Sequence, residues 1–179
     1  MKTASIIAIA GLATAAGAQT VIDLSGISVD GAAPTTFTVF QNDHGAMTTL
    51  DFDLTVEVGA TNASWGSEVH IAMTHLPSGF TFTADGSDTN FADLGADDLI
   101  FGWGNSGGVF SFQGSIDMSG MGPSDTFGEW EITLSDEFDD FGIDHTYLQG
   151  STITINKVPA PGALAVIGLG GLALSRRRR

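Results

Sequence analysis

From Leu50 to Val58 every second residue is apolar: Leu50, Phe52, Leu54, Val56 and Val58 point one way, while Asp51, Asp53, Thr55 and Glu57 point the other. A repeat of two is the period of an extended chain, so this stretch predicts a strand with one buried face. The same alternation recurs in TTFTVF (Phe37, Val39), SEVHIAMTH (Val69, Ile71, Met73), GFTFTA (Phe80, Phe82), GVFSFQG (Phe110, Phe112), EWEITLSD (Trp130, Ile132, Leu134) and STITIN (Ile153, Ile155). Clusters of Gly, Pro, Asn or Asp bound each run. No stretch long enough for a helix carries a 3.6-residue period. Roughly seven to nine short strands, each with one apolar face, need a second sheet to cover that face. The pattern therefore predicts an all-β fold, an antiparallel β-sandwich of jelly-roll-like or immunoglobulin-like topology. Pro123 and Ser124 predict a loop, and residues 159–162 a linker.

The two ends break this pattern. Met1, Lys2 and Thr3 precede an apolar run over residues 4–16, and Ala16, Gly17 and Ala18 supply the small residues a signal peptidase requires. That layout predicts a secretory signal peptide over residues 1–18, cleaved before Gln19. At the other end residues 163–175 are apolar, a run of thirteen. As a helix it would span about 20 Å, short of the roughly 30 Å hydrocarbon core. Gly168, Gly170 and Gly171 weaken that helix further. Arg176, Arg177, Arg178 and Arg179 follow and would hold the C-terminus on the cytoplasmic side. A marginal span with a strong stop suggests transient inner-membrane association followed by processing. The chain thus divides into a signal peptide (1–18), an acidic domain (19–156), a linker with a sorting motif (157–162) and an apolar segment with a basic tail (163–179), the last expected to be removed.

Val158, Pro159, Ala160 and Pro161, then an apolar stretch, then an arginine cluster at the C-terminus resemble the PEP-CTERM sorting signal. Ala160 stands where that family usually has Glu, while both flanking prolines and the tripartite order are kept. The resemblance implies an exosortase-type processing enzyme as partner and a place in the envelope or extracellular matrix of a Gram-negative bacterium, often with exopolysaccharide. A plain tail anchor and a rhomboid-processed tail are the alternatives. In the body, Gly128, Trp130, Ile132, Leu134, Asp136, Asp140 and Gly142, followed by a last strand reaching Ile155, are similar to the closing motif of the P domain of proprotein convertases and bacterial subtilases. SEVHIAMTHLPSGFTFT, with Leu76, Pro77, Ser78 and Gly79 at its turn, resembles that domain's strand–turn–strand. This second resemblance implies a jelly-roll-like sandwich that accompanies or binds rather than catalyses.

Charge narrows the function classes. All six Lys and Arg lie at the ends, as Lys2, Lys157 and the four terminal arginines, and all 21 Asp and Glu lie between residues 19 and 156. Such a body repels phosphate backbones and anionic lipid, which excludes nucleic acid as its partner. With no cysteine there is neither a disulfide framework nor a thiol nucleophile. The densest acidic run, SDEFDDFGIDH, places Asp136, Glu137, Asp139, Asp140 and Asp144 within nine residues. Ca2+ takes six to eight oxygen ligands, so Asp136, Asp139, Asp140 and Asp144 are the candidate metal ligands, with a solvated acidic loop as the alternative. A second run offers Asp85, Asp88, Asn90, Asp93, Asp97 and Asp98 at no recognised calcium spacing. His44, His70, His75 and His145 are scattered, and on one strand His70 and His75 would face opposite sides. Trp65, Trp103, Trp130 and Tyr147 are the candidates for stacking on sugar rings; Trp103, set among glycines, is the expected exposed one. Asn62, Ala63 and Ser64 match a glycosylation acceptor, a match read as accidental in a bacterial chain. The reading that results is a non-catalytic exported surface or matrix protein. A calcium-dependent carbohydrate-binding module is the alternative, and a glycan hydrolase with a cryptic acidic pair comes third.

Overall fold

The computed structural model describes residues 19–41, 46–59, 64–86, 99–122, 127–136 and 142–158. Both end segments, including Pro159, Ala160, Pro161 and the four terminal arginines, lie outside these residues, as do His44, Pro123 and Ser124.

The alternating runs fold as strands. In chain order these are β1 (Gln19–Asp23), β2 (Ser28–Val29), β3 (Thr35–Gln41), β4 (Met47–Val58), β5 (Val69–His75), β6 (Phe80–Asp85), β7 (Leu99–Ile100), β8 (Gly108–Asp117), β9 (Gly128–Asp136), β10 (His145–Tyr147) and β11 (Thr152–Lys157). They form two sheets. In the first, β4 is central: β8 pairs along one edge, while β11 and β10 share the other end to end, with β1 and β2 outside them. The second has the order β3-β9-β5-β6-β7. All pairings among the described strands are antiparallel except β6 with β7, where Ala84 and Asp85 lie in parallel register with Leu99 and Ile100.

Period-two patterning explains the sandwich. Leu50, Phe52, Leu54, Val56, Val58, Ile153 and Ile155 of the first sheet are buried, and so are Val69, Ile71, Met73, Trp130, Ile132 and Leu134 of the second. The two apolar faces meet to make one core. Outward positions carry Thr, Ser, Asp and Glu, and hydroxyls pair across strands, as in Thr74 with Thr81 (2.9 Å) and Thr55 with Ser111 (3.2 Å).

One irregularity is repaired in place. Between β10 and β11, residues 148–151 leave the ladder opposite β4; the Leu148 N–H still reaches the Thr55 carbonyl at 2.7 Å, but the Thr55 N–H would be stranded. Ser151 fills the gap: its hydroxyl donates to the Thr55 carbonyl at 2.8 Å and accepts the Thr55 N–H at 3.0 Å. The neighbouring break between β1 and β2 lies alongside, with the Leu24 N–H on the Ser151 carbonyl (2.9 Å) and the Gly26 N–H on the Tyr147 carbonyl (2.8 Å). Gly26 turns there at a φ of 79°, and Leu24 drops fully into the core.

Candidate functional site

The acidic run begins where β9 ends and finishes where β10 begins, so it crosses from one sheet to the other. Asp136 is the last residue of β9 and His145 the first of β10, and both face inward. The Asp136 carboxylate meets His145 Nδ1 at 3.1 Å, with both side chains fully buried, tying the second sheet to the first. Tyr147 lies against the same pair, its ring edge-on to His145 at 5.4 Å between centroids. Burial, and then the Asp136 charge, push the Tyr147 phenol far above its ordinary range. The Tyr147 hydroxyl and His145 Nε2 are buried without a hydrogen-bond partner among the described residues.

Asp144 is also fully buried. One carboxylate oxygen accepts the Ser64 hydroxyl at 2.7 Å and the other accepts the Gly31 N–H at 2.5 Å. Its backbone carbonyl takes the Gly59 N–H and its own N–H donates to Val29. A single aspartate thus pins three loops at one end of the sandwich. Of the four residues expected to hold Ca2+, Asp136 and Asp144 are turned inward onto protein partners, and Asp139 and Asp140 lie outside the described residues. Among the described residues no group of three or more His, Asp or Glu side chains is arranged to hold a metal. In the second acidic run only Asp85 is described; it is buried, and its carbonyl accepts the Phe101 N–H at 2.7 Å.

Trp103 corrects the sequence expectation of an exposed stacking residue, being only 5 % exposed. Its ring stacks on Phe110 at 5.4 Å and tilts against Phe101 at 4.8 Å. Two glycines make the slot. A Cβ on Gly66 would meet the Phe110 ring at 2.9 Å and the Trp103 Cβ at 3.0 Å, and a Cβ on Gly86 would collide with the Gly66 carbonyl. The Gly86 carbonyl then takes the Trp103 N–H at 2.9 Å. Trp130 is fully buried, so Trp65, at 45 % exposure, is the tryptophan that faces solvent. The hydroxyl of Ser64, third residue of the glycosylation match, is buried on Asp144, and Asn62 and Ala63 lie outside the described residues.

His70 and His75 do face opposite sides of β5. His70 lies on the outer face near Ser135 (3.2 Å). His75 is buried against Trp130 and within 2.9 Å of the Phe127 carbonyl. A carbonyl can only accept, so His75 Nε2 carries the proton, and Nδ1 receives the Ser78 hydroxyl at 2.7 Å. This pins the β5–β6 turn. A cleft of about 490 Å³ beside that turn is lined, among the described residues, by Ser78, Gly79, Phe80, Gly120 and Met121, of which the one polar side chain is the hydroxyl already committed to His75.

The geometry defines an acidic β-sandwich whose converging titratable groups are structural ties. No protein-family model matches the chain, and no curated protein matches it in sequence.

Proposed function

We propose that this chain is a non-catalytic structural component of a bacterial cell surface or extracellular matrix, exported by its N-terminal segment and delivered by its C-terminal sorting signal. The observation that carries this reading is the pairing of β1 with β11. Among the described residues β1 contains Gln19, the residue after the expected cleavage, and β11 closes at Lys157, just before the motif that starts at Val158. Gln19 pairs with Asn156, so both junctions sit side by side. Loss of residues 1–18 and of the tail beyond the motif leaves every described strand of the sandwich in place. The inward placement of Asp136, Asp144, His75 and His145 supports the same reading, because these groups hold strands together where a substrate has no access. A signal peptidase, an exosortase-type enzyme and matrix exopolysaccharide are the partners that go with it.

The test is the intact mass of the protein recovered from the envelope and medium of the cells that make it. The expected mass lacks residues 1–18 and everything from near Val158 onward. A mass that retains the four arginines would make the tail an ordinary anchor and remove the ground for placing the protein in the matrix.

A further inference from the structure

The strand β8 reads GVFSFQGSID and pairs with β4 without interruption, from Thr49 opposite Asp117 to Val58 opposite Gly108. Its other edge carries no hydrogen bond to any described residue. An open edge of this kind is a row of unpaired N–H and C=O groups, which proteins blunt with Lys, Pro, a bulge or brevity. The ten residues of β8 have none of these. Among the described residues the other outer strands of the two sheets are shorter: β1 has five residues, β2 and β7 two each, and β3 seven directly after Pro34.

Charge selects the partner. Between residues 19 and 156 there are 21 carboxylates and no Lys or Arg, so copies of the domain repel one another over most of their surface. The outward side chains of β8 are Val109, Ser111, Gln113 and Ser115, and its one carboxylate, Asp117, stands at its end. A basic strand would be drawn to the acidic faces, where β4 presents Asp51, Asp53 and Glu57, whereas a neutral strand of matching pattern suits this edge. On the inward side Phe110 and Phe112 are only half-buried, their rings packed on Trp103 and Phe101.

From these features we infer that β8 is a self-association edge, which pairs antiparallel with β8 of a second copy about a two-fold axis and joins the first sheets of two molecules into one. In such a pair Ser111 faces Gln113 of the second copy, and the phenylalanines of the two strands cover each other's flanks. The two Asp117 carboxylates fall about 30 Å apart, at opposite ends of the new ladder, where their repulsion is screened. The edge belongs to the folded domain, so this inference does not depend on how the tail is processed.

Sedimentation of the processed protein, purified from its own envelope at micromolar concentration, tests it. The wild type is expected at twice the monomer mass. The double variant Ser111→Lys with Gln113→Lys sets lysines against lysines across the axis, keeps a partner for Asp53, and is expected at one monomer mass. Thr38→Lys with Thr133→Lys, the same charge change on the outer face of the other sheet, is expected to stay dimeric. Hydrogen exchange on the wild type is independent of any variant, and the outer-edge amides of β8 are expected to be protected. A monomeric wild type, equal masses for the two lysine variants, or rapid exchange along β8 would each overturn the inference.

Discussion

Tyr147 is the lone tyrosine of the chain and is fully buried, so its ionisation can be followed without interference. Burial and the Asp136 charge raise its phenol above the ordinary value of 10.0, which fixes the sign of its effect. The unfolded phenol ionises as pH passes that value while the folded one keeps its proton, so stability falls as pH rises further. In an alkaline titration the tyrosinate absorbance is expected to appear only together with the loss of far-ultraviolet dichroism, and Tyr147→Phe is expected to unfold at higher pH. A separate tyrosinate step near the ordinary value, in protein that is still folded, would contradict this. Because the hydroxyl has no partner among the described residues, the substitution is expected to change stability at neutral pH by about 1 kcal/mol or less. Little at this scale was legible beforehand. Trp103 reads as exposed because glycines surround it, and the slot that buries it depends on Gly66 and Gly86, which chain pattern alone does not bring together. The Asp144 tie has the same character, since Ser64 lies 80 residues away.

Among the elements, the long alternating strands follow directly from their sequences, down to which residues are buried in β4, β5, β9 and β11. The pieces that escape are β2, β7 and β10, with two or three residues each, too short to display a period, and the five-residue β1, in which Ile22 is the single buried position. Equally hidden is the break between β10 and β11, because a serine that completes a ladder looks like any loop serine. Its energetic meaning is specific. Ser151→Ala leaves the N–H of the half-buried Thr55 without its acceptor, while the carbonyl keeps the Leu148 N–H, and is expected to cost about 1 to 2 kcal/mol. Urea unfolding checks this: the midpoint should fall while the denaturant slope stays constant, and an unchanged midpoint would show that the hydroxyl is dispensable.

For the whole molecule, both the sandwich and its charge are legible in the chain, because one-sided strands need a second sheet and every Lys and Arg lies beyond residue 156 or before residue 19. Strand order is not, since pairs such as β3 with β9 and β1 with β11 join distant segments. The unbalanced charge predicts that added salt stabilises the fold. Between about 0.01 M and about 1 M NaCl the screening length contracts from ~30 Å to ~3 Å, and the thermal midpoint is expected to rise over that range. A flat or falling midpoint would show that carboxylate repulsion is not a leading strain on the domain. The position of β11 has a mechanical consequence as well. Whatever is joined to the chain after Val158 pulls on a strand in the interior of its sheet, matched at five positions to β1 and at six to β4. Drawing that strand out requires both neighbouring ladders to give way, so a load applied at that point acts on one of the best-held strands of the domain and not on a strand that can peel from the rim.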